Sequence, residues 1–122
     1  MTDSSALIAL RKTLADVVED VSEEEKSKIA ESVISKILDA LEAGVCALGN
    51  WETRCLSAAI ISLRGRRFDQ ARTIARRALW PEENRTAASI SKFPIRPGMS
   101  SIAELKREFV AACAGRRKDK AD

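Results

Sequence analysis

The chain predicts an all-α domain of five or six helices, and three observations predict it. Every apolar pattern longer than six residues recurs at helical spacing, and valine and isoleucine nowhere alternate with polar residues over a strand's length. The apolar 45% of the chain is mainly Ala, Ile, Leu and Val, and the only aromatics are Trp51, Trp80, Phe68, Phe93 and Phe109. That is the composition of packed helices rather than of sheets. The five glycines fall where the periodic stretches stop, as helix ends require. A chain of 122 residues is the usual size of one domain around one core.

The first helix follows from Leu7, Leu10, Leu14, Val17, Val18 and Val21 on one face, with Lys12, Asp16, Glu19 and Asp20 opposite. Asp3, Ser4 and Ser5 supply short side-chain oxygens for the orphan N–H groups of its first turn. Ser22-x-x-Glu25 is a capping box that starts a second helix, and Glu23 and Glu24 sit where the helix dipole favours negative charge. Its stripe is Ile29, Val33, Ile34, Ile37, Leu38 and Leu41, with Gly44 as the stop. These two elements are expected to form an antiparallel hairpin.

Gly49-Asn50 breaks the chain again. From Cys55 to Leu63 only Ser57 and Ser62 interrupt the apolar residues, so Trp51 to Arg64 reads as the buried central helix, closed by Gly65. A fourth helix is expected from Asp69, its N-cap, with Ala71, Ile74, Ala75, Ala78 and Leu79 inward and Arg72, Arg76 and Arg77 outward; Trp80-Pro81 ends it. Pro81 at a first helical position, followed by Glu82 and Glu83, allows a short sixth helix over 81–91. Lys92 to Ser100, KFPIRPGMS, is expected to be extended loop. Ser101-x-x-Glu104 opens a last helix with Ile102, Leu105, Phe109, Ala112 and Cys113 on one face and Gly115 as its end. The domain is therefore placed at 1–115, followed by a disordered basic tail, 116–122.

Charge is unevenly divided. Residues 1–50 carry five basic and ten acidic side chains, residues 51–122 sixteen and eight, giving halves of −5 and +8. Seven arginines fall between Arg54 and Arg77 with only Asp69 among them. Such an asymmetry points to a polyanionic or acidic partner, or to the acidic half of a second copy.

Catalysis is poorly supplied, because histidine and tyrosine are absent. Cys46, Cys55 and Cys113 form no C-x-x-C and read as reduced thiols, Cys55 and Cys113 on apolar faces. No zinc or calcium pattern and no glycine-rich phosphate loop occurs, so neither metal nor cofactor is expected. The Asn84-Arg85-Thr86 acceptor lacks a secretory signal to accompany it, and no apolar run reaches the roughly twenty residues of a membrane span. The expectation is a cytoplasmic, non-enzymatic protein without a membrane segment.

Ala59, Phe68, Ala71 and Ala78, with Pro81 shortly after, make residues 51–81 resemble one tetratricopeptide unit, in which small residues let two antiparallel helices approach and an aromatic closes their turn. The Arg66-Arg67 pair stands where that family places a small residue, Pro81 comes about two positions early, and no second copy follows. The resemblance implies a surface for protein or peptide, as in small adaptor and chaperone-like proteins. The expected partner surface is Arg64, Arg66, Arg67, Arg72, Arg76 and Arg77, together with Phe93 and Ile95 of the proline-fixed loop, which either dock on a partner or fold back onto the core. The partner would be a protein or a second copy in a homodimer. The alternative is a nucleic-acid-binding regulator whose arginines contact phosphates; against it, the aliphatic positions of the two helices are taken by packing and the arginine cluster lacks aromatic platforms to stack on bases.

Overall fold

The computed structural model describes residues 4–14, 21–85, 93–94 and 96–121. Five α-helices run through them: α1 (Ser4–Leu14), α2 (Glu23–Glu42), α3 (Asn50–Arg64), α4 (Phe68–Arg77) and α5 (Ile102–Ala121), with one 3₁₀ turn at Glu82–Asn84. Among the described residues there is no strand, and no helix is long and apolar enough to cross a membrane.

The helix boundaries follow from local chemistry. Ser22 caps α2 by accepting from the Glu25 N–H at 3.2 Å. At the other end Gly44, at φ +81°, takes the left-handed position of a Schellman stop, with Val45 N–H donating to Ala40 O at 2.9 Å and Gly44 N–H to Leu41 O at 3.2 Å. The stop after α3 repeats this pattern one residue later than expected. Arg67 N–H donates to Ser62 O and Arg66 N–H to Leu63 O, so the left-handed residue is Arg66, at φ 63°, and Gly65 stays at a negative φ. A Cβ in that region costs about 1–2 kcal/mol. Arg66→Gly is therefore expected to raise stability by roughly 1 kcal/mol in chemical denaturation, with Arg66→Ala giving no such gain.

Two expected boundaries are corrected. Helix α4 begins at Phe68 with Arg67 as its N-cap, so Asp69 lies within the first turn rather than capping it. There its carboxylate still meets the helix dipole, and it pairs with Lys26 of α2 at 3.4 Å. Helix α5 runs through Gly115 to Ala121. A glycine inside a helix costs about 1 kcal/mol relative to alanine, a penalty rather than a stop, and the alanines and lysines around it favour helix.

The core is built around α3, which packs against α4, α5 and α2, while α2 also packs on α4 and α5. Ile34, Ile37, Leu38, Leu56, Ile60, Leu63 and Leu105 are its largest fully buried apolar members. Cys55, Leu56, Ala59, Ile60 and Leu63 are buried as the apolar run of α3 requires, whereas Ile61 is only half-buried. Helices α3 and α4 form the second expected hairpin. Ala59, Ala71, Ala75 and Ala78 are buried in it, as is Phe68, the first residue of α4. Helix α1 reaches the far end of α4, where Leu14 is buried and Arg11 Nε donates to Leu79 O at 2.6 Å. Residues 15–20, with Val17 and Val18 of the expected first stripe, lie outside the described residues, as does most of the possible sixth helix at 86–91.

Pro97 and Gly98 form a tight turn in which Met99 N–H donates to Arg96 O at 3.2 Å and Gly98 takes φ +79°. The turn drives Met99 into the core, 4% exposed. Ser101 then caps α5, donating from Oγ to Glu104 Oε1 at 3.1 Å while accepting from Glu104 N–H at 3.2 Å. Ser100 donates to the same carboxylate from its hydroxyl and its N–H, and these bonds hold the Glu104 pKa below its ordinary value. That contribution to stability is present above the unfolded carboxyl pKa and is lost as pH falls through the lowered folded value.

Candidate functional site at the end of helix α4

The arginines that cluster in sequence separate in space. Arg64 crosses from α3 to α5 and donates from Nη2 to Glu108 Oε1 at 2.7 Å. Arg54 donates from Nε to Asn50 Oδ1 at 3.2 Å and from Nη1 to the Phe93 carbonyl at 3.3 Å, tying the proline loop to α3. Arg66 and Arg67 are exposed at the α3–α4 turn, and Arg72 and Arg76 are half-buried on α4. Arg64 and Arg54 thus hold helices and loop together.

Helix α4 ends on a taper. Ala78, Leu79 and Trp80 N–H groups donate to the carbonyls of Ala75, Arg76 and Arg77, each three residues back, as 3₁₀ turns do. Side chains from elsewhere meet the carbonyls of this tapered end. Trp51 Nε1 donates to Arg77 O at 2.6 Å, Arg11 Nε to Leu79 O at 2.6 Å and Arg85 Nε to Trp80 O at 2.9 Å. Around them Trp51 and Trp80 stack, with ring centroids 6.3 Å apart and planes at 27°. The Arg77 guanidinium lies 5.5 Å from the Trp80 ring centroid and that of Arg85 5.5 Å from Trp51. Arg85 also pairs with Glu52, Nη2 to Oε2 at 2.9 Å, while Glu52 Oε1 accepts from Gly49 N–H at the start of α3.

Sequence reasoning missed this cluster and held that no aromatic stood among the arginines. Trp51 precedes Arg77 by 26 positions, and only the antiparallel return of α4 along α3 brings them together. The legible signal was the placing of a tryptophan at each end of that hairpin. Trp51 is nonetheless 5% exposed, so it packs the interior and offers no face to a base.

Two cavities flank the end of α4. One, of ≈ 350 Å³, is lined by Asp69, Gln70, Thr73, Ile74, Arg77 and Phe93, and so joins two of the expected partner residues, Arg77 and Phe93. Phe93 is half-buried against the core, the folded-back alternative, and Ile95 lies outside the described residues. Among the described residues nothing accepts from the buried Arg77 Nε, a shortfall worth about 1–3 kcal/mol for a buried donor. The other cavity, of ≈ 230 Å³, is lined by Arg11, Leu14, Arg76, Leu79, Trp80 and Pro81.

The thiols offer little reactivity. Burial, then the nearby Glu52 charge, pushes Cys55 up to about 12, with Arg77 and Arg85 opposing, and Cys46 is raised by the same two causes. Because the folded Cys55 pKa exceeds the ordinary 9.0, its contribution to stability is complete below pH 9 and is lost as pH rises towards 12. A thiol so raised is a poor nucleophile at neutral pH. Among the described residues no group of three or more metal-ligating side chains is placed to hold an ion.

No family model, curated protein or solved structure matches the chain.

Proposed function

We propose that the chain is a non-enzymatic helical protein-interaction module that binds its partner across the outer side of α4. The observation that carries this is the ≈ 350 Å³ cavity in which Ile74 and Phe93 offer apolar surface beside Asp69, Gln70, Thr73 and Arg77. Apolar contact with a few convergent polar groups is what recognition of protein side chains uses. A phosphate backbone is less well served there: Asp69 would repel it, Arg54 and Arg64 are engaged in ties between elements, and Trp51 is turned inward.

The test must avoid Arg77, since its side chain packs on Trp80 and its Nε is buried. Thr73 is exposed on the rim of the cavity and serves better. A photo-crosslinking residue at Thr73 is expected to trap a protein in cells, and one at exposed Lys12 is expected to trap none above background. Trapping of nucleic acid at Thr73 would overturn the proposal. So would duplex affinity that falls by a slope of roughly 0.9 per phosphate contact on logarithmic salt axes and vanishes in Arg72→Ala/Arg76→Ala.

A further inference from the structure

The smaller cavity at the end of α4 has a more definite chemistry. Its floor is Leu14 and Leu79, both buried, with Trp80 and Pro81 at the side. Among the described residues its charged lining is two guanidiniums, Arg11 and Arg76. The bond from Arg11 Nε to Leu79 O fixes one of them to the rim. An arginine carries five N–H donors in a planar fork, so this bond leaves the outer edge of the fork turned to a separate acceptor. At ≈ 230 Å³ the space is below the roughly 300 Å³ at which sites for drug-sized ligands begin, and it matches a single side chain.

Resting on the reading of α4 as a protein-binding face, we infer that this cavity takes one apolar side chain of an acidic segment, with a neighbouring carboxylate of that segment held between Arg11 and Arg76. Two cations beside an apolar floor are complementary to both parts at once. A bare phosphate would engage the guanidiniums and leave the floor wet, and a wholly apolar segment would leave two partly desolvated cations without a counter-charge.

The probe is a labelled peptide with a leucine between pairs of aspartates, titrated into the full chain. Saturable binding is expected, weakening with salt. Arg76→Gln is expected to lower affinity roughly ten- to hundredfold, the worth of a hydrogen bond to a charged group, and replacing the leucine by alanine roughly tenfold. Arg76→Glu is expected to prefer the peptide whose aspartates are exchanged for lysines, a reversal that a loss of packing would not produce. In the unaltered protein the Trp80 indole resonance is expected to shift on titration while that of buried Trp51 stays in place. The inference is overturned if the peptide does not bind, if the leucine is dispensable, if inorganic phosphate competes at equal concentration, or if Trp80 is unmoved. Should Thr73 still trap a protein when the peptide fails, this inference alone falls; should Thr73 also trap nothing, the reading of the α4 face falls with it.

Discussion

Ile60→Ala is expected to lower the unfolding free energy by about 2–5 kcal/mol, and Ile61→Ala, one position along the same helix, distinctly less. Ile60 is 0% exposed at the contact of α3 with its neighbours, so truncation leaves a cavity that the surrounding close-packed side chains fill only in part. Ile61 is half-buried, and water recovers part of the space its removal opens. Urea denaturation followed by circular dichroism checks both: the midpoint should fall with an unchanged slope, further for Ile60. Equal losses would mean that α3 is not oriented as described.

Arg85→Ala is expected to cost about 3 kcal/mol, the lower part of the range for breaking a buried pair, because Arg85 and Glu52 each keep some exposure. Three interactions are lost together: the ion pair to Glu52, the bond to Trp80 O and the contact over the Trp51 ring. Most of the cost arises from what stays behind, a Glu52 carboxylate in a mainly apolar setting held by Gly49 N–H. A double-mutant cycle with Glu52→Gln separates the pair from the rest. Loss of Arg85 after Glu52→Gln should cost about 1–2 kcal/mol less than loss of Arg85 alone; equal costs would remove the pair from the account.

The helices and their stops were legible because the physics that sets them is local. A period of 3.6 in apolar residues, Ser22 before three glutamates, Gly44 after Leu41 and Ser101 before Glu104 each act within one or two turns, and each stands where expected. The start of α4 was missed by one residue for a related reason. Asp69 has the chemistry of a cap, but the Schellman stop after α3 spends Arg66 and Arg67 on the turn and brings the chain back to helix at Phe68. Gly115 has the conformation of neither Gly44 nor Gly98, and a glycine without a left-handed turn does not end a helix. The site was legible only in part. A run of arginines looks alike in sequence whether each one meets a carboxylate, a carbonyl or a partner, and Arg64 found its carboxylate 44 positions away on α5. Arg11, Trp51, Trp80 and Arg85 carry no shared motif; the fold alone assembles them.

The three carbonyls at the end of α4 also order the events by which the chain closes. Arg85 is 5 positions from Trp80, Trp51 is 26 from Arg77 and Arg11 is 68 from Leu79. The entropy of joining two points grows with the logarithm of the chain between them, so the last closure costs about 2 kcal/mol more than the first. The short loop after α4 and the α3–α4 hairpin therefore close early, and the docking of α1 comes last. The same hierarchy runs in reverse near native conditions: the contact with the longest loop opens first, exposing the amides of α1 to solvent exchange while those of α3 stay protected until the whole domain unfolds.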